Sequence, residues 1–388
     1  MPLMKSNQSS KYLFPWRPGN RLELLVDGRQ FFPRMLDAIE GARHHVLLEM
    51  YLFESGVVAE RFIGALVRAA GRGVVVKLLL DAFGTRGLGR QDRERLVQGG
   101  VDLRFYNPIH FGKLLRNMFR DHRKLLVVDG ELAFVTGAGI TDEFDTPAHP
   151  EQSWRESAIC IHGPVLADWQ ELFARVWNRH APEPLELPVP VATEVHAGVP
   201  GRVSFASALA KLDIERSLYT RARLAQQRVW MSTAYFVPSR RTRRALKLAA
   251  QRGVDVRLLL SGPCTDHPAV RYAGRRFYAG LLSAGVRIFE YRSRFLHAKT
   301  VLCDNWVSIG SCNLDRWNLR WNLEANQEVD DGLFAEAVRA MFAEDFENSD
   351  EYRYEDWHRR PWYKRLRETA WGRVDMWLEA LGRRKNSR

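Results

Sequence analysis

The sequence predicts an α/β protein of two tandem domains with mixed sheets, packed around one shared active site. An internal repeat with a period of about 180 residues carries this reading, being too long for a solenoid and suited to a duplicated domain. Helical patterns alternate with short apolar runs in both halves, as βα units require. A proline-rich stretch separates the halves.

In chain order, residues 1–19 form a polar segment with Lys5, Lys11 and Arg17 and no apolar signal-like core. The first domain is placed at 20–180. Its helical stretch Ala59–Ala70 leads into the apolar run Gly71–Leu80, and Gly100–Tyr106, His122–Asp129 and Phe134–Gly139 follow. Residues 181–201, with Pro182, Pro184, Pro188, Pro190 and Pro200 and no helical period, read as a linker. The second domain, 202–350, repeats the landmarks in order: Ser239–Ala250, Gln251–Leu260, Gly285–Tyr291, His297–Asp304 and Val307–Asn313.

A tail, 351–388, carries eleven Lys or Arg against six Asp or Glu, with four tryptophans. Within it Trp362, Leu366, Ala370, Val374, Trp377 and Leu381 share one helical face, while Arg365, Arg367, Glu368, Arg383 and Arg384 lie largely elsewhere. Tryptophan beside arginine on an amphipathic helix is the pattern of a segment lying in a bilayer interface; packing on the catalytic domain is the alternative. Met118 and its neighbours Ile109, Phe111, Leu114, Leu115 and Phe119, interleaved with Lys113 and Arg116, are expected either to line a lipid route or to belong to the core.

With 388 residues, 46% of them hydrophobic, the chain is globular and able to bury a large core. Its formal net charge of +12 calls for a polyanionic partner, nucleic acid or an anionic membrane surface, without choosing between them. Cys160, Cys264, Cys303 and Cys312 are scattered, with neither a disulfide framework nor metal-ligand spacing, so a reduced, cytosolic setting and no metal are expected. No segment is long and apolar enough to span a bilayer.

The chemistry is concentrated in two copies of His-x-Lys-x4-Asp: His122, Lys124 and Asp129, then His297, Lys299 and Asp304. On a strand, residues two apart project to the same face, so each imidazole sits beside an ammonium. A neutral imidazole can attack phosphorus while the ammonium neutralises a phosphate oxygen, and the second histidine serves as general acid and then general base. One copy would be an ordinary surface pair; two copies at matching positions of a repeat point to phosphodiester exchange.

These motifs, with Glu49–Phe53, Arg116-Asn117, Trp154-Arg155, Gly163-Pro164, Ala234–Pro238, Gly310–Asn313, Asn322–Glu324 and Asn326, make the chain resemble the phospholipase D superfamily, and within it the bacterial cardiolipin synthases of the B type. The resemblance runs from Gly19 to about residue 350. It implies two phospholipase D-like domains whose histidines face one another, with Lys124, Lys299, Ser311 and Asn313 holding the phosphate. It also implies that Glu156 and Glu324, 34 and 27 residues after their histidines, hydrogen-bond the imidazoles, and that Asp129 and Asp304 stabilise the motif structurally. Three positions depart from the family pattern: Gly139 replaces an Asn, Thr136 stands where Gly is common, and Glu156 where Asp is more frequent. Asp266 and His267 lie in the loop after the strand at 256–260, where a substrate could pass, and are read first as a solvated loop pair.

The expected reaction transfers a phosphatidyl group from phosphatidylglycerol to a second phospholipid or alcohol through a phosphohistidine, with no cofactor; His122 is the preferred nucleophile, and the near symmetry of the two motifs leaves His297 as the alternative. A lipid hydrolase and a metal-independent nuclease are the alternatives; the duplicated motif in one chain disfavours nucleic acid. The resemblance places the enzyme peripherally on the cytoplasmic face of the membrane and leaves the oligomeric state open.

Overall fold

The computed structural model describes residues 12–146, 148–186, 198–207, 211–313, 315 and 321–360. In the first half the strands are β1 (Arg17–Val26), β2 (His45–Met50), β3 (Val75–Asp81), β4 (Asp102–Tyr106), β5 (Arg120–Asp121), β6 (Lys124–Val128), β7 (Leu132–Thr136) and β8 (Ser157–His162). Their sheet runs β1–β8–β7–β6–β2–β3–β4 and leaves out β5. Strands β2, β3 and β4 are parallel and the rest antiparallel, so the sheet is mixed.

The second half repeats this plan with β9 (Val199–Ser207), β10 (Lys211–Leu212), β11 (Arg228–Thr233), β12 (Asp255–Ser261), β13 (Arg287–Tyr291), β14 (Thr300–Cys303), β15 (Trp306–Gly310), β16 (Asn322–Asp330) and β17 (Ser349–Tyr352). The order β9–β16–β15–β14–β11–β12–β13 matches the first sheet strand for strand, and β17 adds an edge beyond β13. The sheet therefore continues past residue 350, into the span read as tail. Strand β9 likewise begins within the span read as linker. Pro200 is tolerated there because the β1–β9 register shifts beside it and no ladder bond is asked of it. The amphipathic face proposed for Trp362 to Leu381 lies outside the described residues.

Both predicted helices are present, as Val57–Gly71 and Arg240–Gln251, the second capped by Ser239 Oγ accepting the Thr242 N–H at 3.1 Å. They cover the outer faces of their sheets. Between the sheets one hydrophobic cluster joins both halves: Trp169, Phe173 and Trp177 of helix Leu166–Trp177 meet Val307, Ile309 and Phe342 of the second half. With both faces covered, β2 and β6 are buried along their whole length, which is why they read as continuous apolar runs rather than alternating ones.

Asp129 and Asp304, grouped with the catalytic residues by their motif, lie at the outer ends of β6 and β14. Asp129 accepts the N–H groups of Arg43, His44 and His45 at 2.9, 2.8 and 2.8 Å, and Asp304 those of Gln226, Gln227 and Arg228 at 2.9 Å each. Each aspartate pins the start of the neighbouring strand, from left-handed backbone with φ of 52° and 50°. Neither faces the imidazoles, so the motif's third residue is a structural one. Asp304→Ala is expected to cost about 2 kcal/mol, as three bonds to a carboxylate are lost at a partly exposed site, seen as a lower denaturation midpoint while catalytic turnover of the folded fraction is kept.

Candidate active site

The histidines stand where each sheet ends against the other. His122 N–H donates to the Leu323 carbonyl at 3.0 Å, and His297 N–H to the Arg155 carbonyl at 2.8 Å. Those two acceptors immediately precede Glu324 and Glu156, so the ladder across the interface brings each imidazole to the carboxylate of the opposite half. His122 Nδ1 lies 2.9 Å from Glu324 Oε1, and His297 Nδ1 lies 2.7 Å from Glu156 Oε2. The sequence reading, which counted each glutamate from the histidine of its own half, is corrected: the pairs are crossed.

Both carboxylates are fully buried. Glu324 is held by Ser311, whose Oγ donates to Oε2 at 2.5 Å and accepts the Ala325 N–H at 3.1 Å. The Ser311 hydroxyl thus braces a carboxylate, a different task from the phosphate contact inferred for it. Glu156 has no such hydroxyl and accepts the Ser157 N–H at 2.9 Å instead. Lys124 Nζ donates to the His122 carbonyl at 2.7 Å, and Lys299 Nζ sits 3.5 Å from Glu156. Asn313 is fully buried, and among the described residues neither polar atom of its amide has a hydrogen-bond partner. A buried amide left unpaired is costly unless a ligand completes it.

A cavity of about 750 Å³ adjoins these groups, and its lining combines His122, Lys124, His297 and Arg120 with the apolar Leu52, Met118, Trp154, Val237, Val270 and Trp321. Asp266 and His267, an exposed pair 3.7 Å apart in the loop after β12, also line it, and Asp266 accepts the Tyr235 hydroxyl at 2.5 Å.

Burial pushes both imidazoles below their ordinary range, His122 against the pull of Glu324 and His297 further, with Lys299 and Lys124 adding to the effect. Burial also brings Lys124 down to about 7, against the carboxylate of Glu324, and raises Glu156 to about 7, against Lys299.

A model of the cardiolipin synthase phospholipase D-like domain matches residues 35–177 and 218–346. The chain belongs to the cardiolipin synthase family. Among its relatives, cardiolipin synthase A of Pseudomonas aeruginosa (strain LESB58) is 36% identical over 353 residues, covering 88% of this chain and 70% of that protein. Cardiolipin synthase B of Salmonella typhi is 34% identical over 345 residues, covering 84% and 80%. Both types match at comparable identity, so membership holds for the family rather than for one type. The crystal structure of phosphatidylserine synthase from Haemophilus influenzae Rd KW20 shares the fold with a TM-score of 0.69 over 94% of this chain and 96% of that one, at 14% identity.

Within this family frame, the two glycines after the first motif acquire a physical reason. A Cβ on Gly139 would stand 2.7 Å from Leu52 Cβ and 2.8 Å from the Leu52 carbonyl, so the space of an asparagine is filled by a residue that lines the cavity. A Cβ on Gly137 would strike Glu156 Oε2 and come within 2.9 Å of Lys299 Cδ. Gly137→Ala is expected to displace this pair and lower kcat roughly 100-fold, the scale for an ångström of misplacement, with an unchanged circular dichroism spectrum.

Two site residues were quoted as sequence landmarks without a role. Tyr51 meets the His122 ring edge-on at 4.6 Å, and Tyr235 meets that of His297 at 6.5 Å. The internal repeat signals them, because both follow the inner ends of equivalent strands, β2 and β11.

Proposed function

We propose that this chain transfers a phosphatidyl group from phosphatidylglycerol to the hydroxyl of a second lipid. The observation that carries the reading is the pair of crossed His–Glu couples converging on a single cavity, each imidazole meeting its carboxylate through Nδ1 so that Nε2 of His122 is left to react, while Lys299 Nζ stands 2.7 and 3.1 Å from Nδ1 and Nε2 of His297. Leu52, Met118, Trp154, Val237 and Trp321 give the cavity apolar lining suited to the glycerol backbone and acyl ends of a lipid.

In the first half-reaction His122 Nε2 attacks phosphorus; the P–N bond forms, the bond to the glycerol oxygen breaks, and His297 gives that oxygen its proton. In the second, His297 takes the proton of the acceptor hydroxyl, the new P–O bond forms and the P–N bond breaks. Lys124, Lys299 and Asn313 hold the non-bridging oxygens. Burial keeps both imidazoles neutral in the empty site, which suits the attacking histidine; the acid role of His297 draws on the negative charge of the bound phosphodiester, which raises the proton affinity of its neighbours.

A pH dependence follows. In the empty site Lys124 loses its proton above about 7, so kcat/KM for a monomeric lipid falls as pH rises through that value. The same limb in kcat, which reports the lipid-bound enzyme, lies at higher pH, since the phosphate anion stabilises the ammonium.

No helix among the described residues is long and apolar enough to cross a membrane. Supply of a lipid from a bilayer and a net charge of +12 support a peripheral site of action on an anionic, cytoplasm-facing surface. The test is mass spectrometry of lipids after incubation with phosphatidylglycerol vesicles in EDTA, with His122→Ala as control. Cardiolipin and free glycerol, absent with the variant, are expected. Phosphatidic acid alone would make the enzyme a hydrolase, and unchanged lipid would overturn the reading.

A further inference from the structure

Between β4 and β5 the chain makes an excursion, residues 107–119, that is built inside out. The side chains of Asn107, Lys113 and Asn117 are satisfied within it. Asn107, in left-handed backbone with φ of 44°, donates from Nδ2 to the carbonyls of Arg116 and Phe119 at 2.7 and 2.8 Å. Lys113 Nζ turns inward to Asn107 Oδ1 and the Pro108 carbonyl at 3.2 and 3.1 Å, and the Asn117 amide closes on the backbone of His110 through both its atoms, at 3.1 and 2.8 Å. The apolar side chains point the other way: Phe111 is 101% exposed, Leu114 76%, Ile109 53% and Met118 51%.

Leu114 holds φ 43° and ψ −118°, a conformation suited to glycine, yet it presents a large apolar side chain to the outside. The excursion contains Lys113 and Arg116 and no acidic residue. It is continuous with the cavity, since Met118 at its end and the following Arg120 line that cavity and Phe119 lies 5.5 Å from the ring of Trp321, another lining residue.

We infer that residues 109–118 are the segment that seats the cavity mouth in an anionic lipid bilayer, with Ile109, Phe111 and Leu114 entering the headgroup–acyl boundary. An exposed apolar cluster needs a partner, and in this one the amides of Asn107 and Asn117 and the ammonium of Lys113 are already bonded, which lowers the cost of desolvating it. The arginine stem of Arg116 beside it reaches the phosphates. The inference rests on the transferase reading for its purpose, because a lipid leaving the bilayer must pass this rim to reach His122.

The test uses the full chain and its Phe111→Ser/Leu114→Gly variant, the second change relieving the backbone rather than straining it. Co-sedimentation with phosphatidylglycerol-containing vesicles is expected to show a partition coefficient lowered at least about tenfold, the scale of two apolar side chains withdrawn from lipid. Turnover on vesicles falls in step, while kcat/KM for dihexanoyl-phosphatidylglycerol below its micelle concentration is unchanged. An unaltered partition coefficient would overturn the inference, as would an equal loss on the short-chain lipid, which would make the segment a wall of the site. If the unsubstituted chain turns over neither lipid, the transferase reading fails on its own account, and the partition measurement still decides the seating of the loop.

Discussion

His122→Ala and His297→Ala each lower phosphatidyl transfer by at least roughly 10⁴-fold, the scale on which removal of a nucleophile or its proton-transfer partner acts. The two variants fail differently. With His122 attacking, its replacement abolishes the covalent phosphatidyl-enzyme altogether. Replacement of His297 slows formation of the adduct, since the glycerol oxygen leaves without its proton, and slows discharge as well. Labelled phosphatidylglycerol quenched in base, where a phosphohistidine survives, and resolved on a gel reads this directly. Adduct in His122→Ala but none in His297→Ala would exchange the two roles, and retained turnover in either variant would remove both histidines from the chemistry.

Much of this site was legible in the sequence because the duplication repeats its chemistry. His-x-Lys on a strand fixes which face both side chains share, and the second copy fixes that the face matters. The fold was legible for the same reason: the matched order of landmarks required two sheets of the same plan, and β1–β8–β7–β6–β2–β3–β4 recurs in the second half. What spacing could not encode is which half meets which. Glu156 and Glu324 were counted along the chain from the motif histidine of the same half, whereas their pairing is set by two hydrogen bonds across the interface, from His122 to Leu323 and from His297 to Arg155.

The motif aspartates recur for a different reason, the structural one that the resemblance implied. Asp129 and Asp304 recur with the histidines because each anchors a strand start, so recurrence marked the fold there and the chemistry elsewhere. Residues 107–119 were ambiguous for a related reason. Apolar residues interleaved with Lys113 and Arg116 read equally as core or as surface, and only the internal closure by Asn107 and Asn117 turns the apolar side outward.

The crossed pairing makes a sharp prediction for the carboxylates. Glu324→Gln and Glu156→Gln are each expected to lower kcat by roughly 10³- to 10⁴-fold, as when a buried acceptor of an imidazole N–H becomes an amide that no longer fixes the tautomer. With His122 as nucleophile and Glu324 behind it, Glu324→Gln suppresses the burst of adduct. Glu156→Gln acts through His297, so the adduct forms and persists while its transfer to the acceptor is the slower step. Had each glutamate served its own half, these phenotypes would be reversed. A double-mutant cycle decides the same point independently. Adding Glu324→Gln to His122→Ala costs little further, because the carboxylate acts through a ring already gone, whereas adding Glu156→Gln to His122→Ala removes a second function. Coupling of Glu156 to His122 rather than to His297 would sink the crossed arrangement, whatever the identity of the lipids transferred.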